Sequence, residues 1–172
     1  MKNSLPAETL IRNYDPATYR MRTFLDVRDS FLEGSDSPRD YLERCLECID
    51  SREPQVKAWV VLNLEKARQA ADESGKRYRQ GMPLSVIDGM PLGIKDVLQT
   101  RDMPTELGSP IFKGRETNLD TASVNALRLA GGVILGKTVT TEFAFVKPGP
   151  TTNPFDPQAT PGGSSSGTSA AV

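Results

Sequence analysis

Apolar positions in the first half of the chain recur at spacings of three and four, the period of one face of an α-helix. Asp15-Pro16 opens the first such segment, with Tyr19, Phe24, Val27 and Phe31 along it and Gly34 at its close. Ser37-Pro38 reads as a second helix start, serine at the N-cap and proline at the first helical position. Leu42, Cys45 and Ile49 follow on one face, and the helix is predicted to end near Arg52 because Pro54 disfavours helical backbone in the residue before it. Ala58-Trp59-Val60-Val61-Leu62 is a short apolar run, predicted to be extended. Asn63 is placed to cap a further helix carrying Leu64, Ala67, Ala71, Ser74 and Tyr78, with Gly81 just past its end. These amphipathic helices carry no evident chemistry and read as packing elements.

The pattern changes after Gly81. Pro83 to Val97 is β-prone, interrupted by Gly89 and Gly93, and glycine inside a strand marks a bulge or a close backbone approach. Residues 100–118 read as a loop rich in Thr, Pro and Gly. A helix follows with Asn118 or Asp120 as its cap and Val124, Leu127 and Ala130 on one face, ended by Gly131-Gly132. Val133-Ile134-Leu135-Gly136 is a buried type of strand, so strand, helix and strand make a parallel βαβ unit. Residues 138–163 are predominantly loop, with a turn cluster at Asn153-Pro154-Phe155-Asp156-Pro157, and a loop of this length inside a compact domain is usually functional or disordered. The expected class is α/β, a single domain with a helical region over about 1–80 and an α/β core from about 81 to 172.

Composition narrows the chemistry. The chain has 172 residues, enough for one domain with a real core. Its 21 Lys and Arg nearly balance 22 Asp and Glu, so no bulk field selects nucleic acid or an anionic membrane surface. The start, MKNSLPAETL, has no apolar core of a signal peptide, and no stretch reaches the length of a membrane span, so a cytoplasmic location is expected. Histidine is absent altogether. That excludes Ser-His-Asp and Cys-His catalysis and every histidine-containing metal site. Cys45 and Cys48 have the C-x-x-C spacing of a redox pair or half a zinc site, but no second pair completes such a site, and both fall on or beside the packing face of a helix. No metal is expected.

A hydroxyl nucleophile in a chain without histidine needs another base, and a buried lysine can serve. Lys95 sits in Leu92-Gly93-Ile94-Lys95-Asp96; with Leu92 and Ile94 on one face, Lys95 lies on the other beside the space left by Gly93. The competing reading is a solvated strand lysine paired with Asp96. Thr160 to Val172, TPGGSSSGTSAAV, is either a flexible linker or a tight turn that delivers hydroxyls and runs into a helix. It lacks the Gly-Lys-Ser/Thr of a Walker phosphate loop.

At these residues the chain resembles the amidase signature family. The resemblance rests, in order, on Gly89-Met90-Pro91-Leu92-Gly93-Ile94-Lys95-Asp96, Ala130-Gly131-Gly132-Val133-Ile134-Leu135-Gly136-Lys137-Thr138, Thr141-Glu142-Phe143-Ala144, Asn153-Pro154 and Pro161-Gly162-Gly163-Ser164-Ser165-Ser166-Gly167. It spans roughly residues 40–172 and implies a Ser–cis-Ser–Lys triad. Carried over, Lys95 is the neutral base and Ser164 the bridging serine, held by a cis peptide from Gly163, while Ser165 supports the lysine by a hydrogen bond. The implied substrate is a small-molecule carboxamide, with no metal or organic cofactor, and a homodimer is left open for the complete enzyme. The family's nucleophile stands in an Asp-x-Gly-Gly-Ser sequence, which occurs nowhere in these residues. Residues 1–172 are therefore expected to form an incomplete amidase-signature fold, N-terminal helices followed by part of a mixed sheet, marginal and inactive when alone. Val139-Thr140-Thr141-Glu142-Phe143-Ala144-Phe145-Val146 departs from the Asn-Met-Asp-Glu-Phe-Ala-Met-Gly usual in amidotransferase subunits and favours a general amidase. Phe143, Ala144 and Phe145 line the acyl pocket or belong to the core. The rival function is a non-catalytic binding or assembly module.

Overall fold

The computed structural model describes residues 23–172. The predicted helix start at Asp15-Pro16 and Tyr19 lies outside them. Helix α1, Phe24–Glu33, begins where the Thr23 N–H and hydroxyl both donate to the Asp26 carboxylate, and ends at Gly34, whose φ of 74° is the left-handed conformation of a helix stop. It buries Phe31 against Tyr41 and Tyr78 in edge-on aromatic contacts.

Helix α2 runs Pro38–Val56, with the Ser37 hydroxyl accepting from the Asp40 N–H. It continues through Pro54 rather than stopping near Arg52. The proline falls in the last turn, where its missing N–H costs one hydrogen bond. The Glu53 side chain repays that turn by accepting from the amides of Ala58 and Trp59 at 3.0 and 2.9 Å, and Lys57 closes it at φ 54°. Strand β1 is Trp59–Leu62, and helix α3, Leu64–Arg79, is capped by the Asn63 side chain as the sequence predicts. Of the predicted face, Ala67, Ala71, Ser74 and Tyr78 are buried, whereas Leu64, at the first turn, is exposed.

Between α3 and the next strand, residues 84–89 form turns instead of the predicted β structure. Asp88 organises them: its carboxylate accepts from the Leu84 N–H and from Arg77 through two hydrogen bonds of 2.7 and 2.8 Å. Strand β2 is confined to Pro91–Lys95. Helix α4, Ala122–Leu129, starts after Thr121, not Asn118 or Asp120. Asn118 is left-handed at φ 53°, and Asp120 is committed to the Arg101 N–H and to Arg128. Strand β3, Val133–Thr138, is buried along its whole length.

The strands form a mixed sheet ordered β1-β3-β2, with β1 antiparallel and β2 parallel to β3. β2, α4 and β3 are thus the expected parallel βαβ unit. One face packs on α2 and α3 through Leu42, Ala67, Ala71, Val133 and Leu135. The other buries Ile94, Met103, Val124 and Ile134, with Leu92 and Leu127 against them. The register slips between Leu92 and Gly93, where β3 passes from Ile134 to Gly136, and again in β1 between Trp59 and Val61. A one-residue slip exchanges the faces of everything beyond it. Lys137 therefore pairs with Ile94 on the face away from Lys95, although the preceding Val133 and Leu135 point the other way.

Candidate active site

Lys95 ends β2, half-buried, and Ser164 lies in the loop before the last helix, α5, Ser166–Ala171. The Lys95 Nζ and the Ser164 Oγ are 2.7 Å apart and hydrogen-bonded. Leu92 and Ile94 both enter the core cluster on the opposite face, which turns Lys95 toward the serine loop. The space beside Gly93 is real but already used: a Cβ there would meet Thr138 Cγ2 at 2.7 Å and the Trp59 ring at 3.0 Å. Glycine at 93 thus lets the indole and the threonine close in beneath the lysine stem.

The serine loop is shaped by Gly162 and Gly163, both left-handed at φ 74° and 63°. No cis peptide occurs among the described residues, so Ser164 follows Gly163 through a trans bond, contrary to the resemblance-based expectation. A cis bond before a non-proline residue costs about 3 kcal/mol and persists only where packing enforces it. Nothing stands within 4 Å of where a Cβ would lie on either glycine. The left-handed glycines bring the Ser164 hydroxyl to the lysine without a cis bond. Ser165 takes the N-cap position of α5, its carbonyl accepting from the Ser169 N–H, and among the described residues its hydroxyl makes no hydrogen bond to Lys95. Its backbone, at φ −95° and ψ 40°, leads into the helix.

Several contacts fix this loop on the sheet. Gly167 donates its N–H to the Val139 carbonyl at 3.0 Å, Thr141 donates to the Ser164 carbonyl at 3.2 Å, and the Thr138 and Thr168 hydroxyls pair at 2.7 Å. Asp96 does not pair with Lys95. It turns to the far face and meets Lys137 at 2.9 Å, both side chains fully buried. Burial pushes the Lys137 ammonium below the usual lysine range, and the hydrogen bond to Asp96 pushes back. The signal available for this pair was a lysine directly after four apolar or glycine strand residues. Thr141 and Ser166, flanking the serine in space and sequence, each bury a hydroxyl with no partner among the described residues.

Phe143, Ala144 and Phe145, considered for the pocket or the core, are not core: all three are exposed. Phe143 is left-handed at φ 53°, held there by its N–H to the Leu107 carbonyl at 2.8 Å and by edge-on contact with Phe112. Cys45 and Cys48 are free thiols, and burial raises Cys45, which disfavours its thiolate. A groove of about 630 Å³ between α2, β1 and α3 includes Leu46, Ile49 and Leu62 in its lining but neither Lys95 nor Ser164. No helix among the described residues is long and apolar enough to cross a membrane.

A lysine at a strand end meeting a serine of a Gly-Gly-Ser-Ser-Ser loop, on a mixed α/β sheet, defines the class. The amidase family profile matches residues 40–172, and the chain belongs to that family. Among curated relatives, a glutamyl-tRNA(Gln) amidotransferase subunit from Chloroflexus aggregans is 41% identical over 136 residues, 76% of this chain and 28% of that protein. The corresponding subunit from Leptospira interrogans is 34% identical over 157 residues, 88% of this chain and 32% of its own. Among solved structures, one from a vestigial protein complex tied to the origins of an s-triazine catabolic enzyme is 31% identical with a TM-score of 0.83, covering 88% of this chain and 35% of that one. The peptide amidase of Stenotrophomonas maltophilia is 29% identical with a TM-score of 0.81, covering 91% and 35%. The chain spans about a third of the length of these relatives.

Proposed function

We propose that these residues supply the lysine and the bridging serine of an amidase that cleaves a carboxamide through an acyl-serine. The observation that carries this reading is the 2.7 Å contact between Lys95 and Ser164 in a chain without histidine. In the forward step a nucleophilic serine hydroxyl attacks the amide carbon. Its proton passes to the Ser164 oxygen while the Ser164 proton passes to the Lys95 amine. The C–N bond then breaks as the departing nitrogen takes a proton back along the same path. Water next attacks the acyl-serine, its proton passing to Ser164 while the Ser164 proton passes to Lys95, and the seryl oxygen leaves with a proton returned along that path. The nucleophile belongs to the Asp-x-Gly-Gly-Ser sequence implied by the resemblance, so residues 1–172 alone are inactive. No metal or organic cofactor enters this scheme.

The 41% identity to an amidotransferase subunit supports a second reading, in which the same relay releases an amide nitrogen for transfer within an assembly. The Val139 to Val146 stretch, unlike the usual subunit sequence, favours the free amidase. The test is kinetic, in the complete amidase that carries these residues. Lys95→Ala and Ser164→Ala should each lower turnover of a simple carboxamide by well over tenfold with the fold intact. Turnover within a few-fold of wild type in both variants would remove the relay.

A further inference from the structure

We propose that the buried Lys137–Asp96 pair positions both ends of the Lys95–Ser164 relay; this deepens the reading above and rests on it. A buried ion pair is commonly no more stabilising than apolar residues of the same volume. Its directional hydrogen bonds are what an apolar core could not supply.

The first end is covalent. Asp96 follows Lys95, and every polar group it has is held: its N–H donates to Thr138 O at 3.0 Å and its carbonyl accepts from Leu107 at 3.1 Å. Its carboxylate accepts from the Glu106 N–H at 3.2 Å and from Lys137 at 2.9 Å. The backbone that aims Lys95 at Ser164 is thereby fixed from the face opposite the reaction.

The second end runs through the loops. The Lys137 ammonium has three protons and three acceptors: Asp96 Oδ1, the Pro104 carbonyl at 3.0 Å and the Thr105 hydroxyl at 2.8 Å. This fixes residues 104–107 behind the sheet. From that loop the Leu107 carbonyl accepts from Phe143 at 2.8 Å, and Ser109 donates to Glu142 at 2.8 Å. The segment so anchored begins with Thr141, whose N–H holds the Ser164 carbonyl. One pair of opposite charges therefore braces the base directly and the serine at two removes. Neither residue touches the reacting atoms.

The experiment uses the complete amidase and the variants Lys137→Met, Asp96→Asn and their combination, read in two ways. Lys95 labelling by an amine-acylating reagent, mapped by mass spectrometry across pH, reports the lysine without any turnover. Kinetics on a simple carboxamide report the relay. Asp96→Asn alone strands a buried charge and lowers Tm; the double variant should recover Tm toward wild type. In that double variant we expect Lys95 labelling to change at least threefold, kcat to fall at least tenfold and KM to stay within threefold. A double variant with wild-type labelling overturns the proposal, whatever its turnover. So does one with wild-type kcat while Lys95→Ala is inactive. Lys95→Ala with full turnover would instead sink the relay reading, leaving the labelling to judge the brace. If the pair variants do not fold, Thr105→Val removes one acceptor only, and unchanged labelling and kcat there count equally against it.

Discussion

Lys95 and Ser164 are sixty-nine residues apart in sequence and 2.7 Å apart in space. The contact exists because a strand end and a helix-start loop converge on one face of the sheet. Gly167 makes the approach possible, since its α-carbon lies against the backbone that joins β3 to the serine loop's anchor.

Ser164 and Ser165 should separate sharply in kinetics. Ser164→Ala removes the hydroxyl that meets Lys95, whereas Ser165 makes no hydrogen bond to that lysine among the described residues. Turnover of a carboxamide by the complete enzyme should drop far more for Ser164→Ala than for Ser165→Ala, by at least tenfold between the two. Equal losses would place Ser165 in the relay as well.

Gly167→Ala should unseat the loop. A Cβ at this position would overlap the Ala58 carbonyl and the Val139 backbone, and neither is a flexible side-chain tip. Overpacking of this kind costs about 2–3 kcal/mol. Urea unfolding should show that loss, accompanied by a fall in turnover.

Acid should weaken the α3–β2 corner. Burial raises the Asp88 carboxyl, but the hydrogen bonds from Arg77 and the Leu84 N–H outweigh it and hold the group below the ordinary 3.8. A carboxyl lowered on folding stabilises the fold above its unfolded value, and that contribution is lost as pH falls through the folded value. Wild-type stability should therefore decline below about pH 4, and Asp88→Asn should flatten that decline while costing about 2–3 kcal/mol at neutral pH. Denaturant melts of both proteins between neutral pH and strong acid are the measurement. Parallel curves would mean that Asp88 is not the group responsible.

Leu42→Ala tests the core that carries the sheet. Leu42 is fully buried on α2 against Ala67, Ala71, Val133 and Leu135. Its truncation should cost about 2–5 kcal/mol, visible as a lower Tm, with KM for the amide unchanged in the folded protein.

The local signals were legible and the partnered ones were not. The cap at Asn63, the buried face Ala67–Ala71–Tyr78 and the parallel pairing of β2 with β3 all follow from spacing and turn chemistry in one segment. The extension of α2 past Pro54 depends on Glu53 reaching the amides of Ala58 and Trp59, which no propensity contains. The partner of Asp96 depends on a register slip near Gly93, and a slip is a property of two strands together. The pairing of Lys95 with Ser164 came from family resemblance, since periodicity left the lysine equally able to face solvent. The trans bond before Ser164 shows where that resemblance stopped describing this chain.

The order β1-β3-β2 also dictates a sequence of events. The middle strand is the last of the three to be synthesised, roughly forty residues after Lys95, so two strands must wait with no partner between them, and such non-local pairing forms slowly. The core face of α2 and α3 also waits for Val133 and Leu135, and the amine at the end of β2 finds its hydroxyl only once β3 has slotted between its elders.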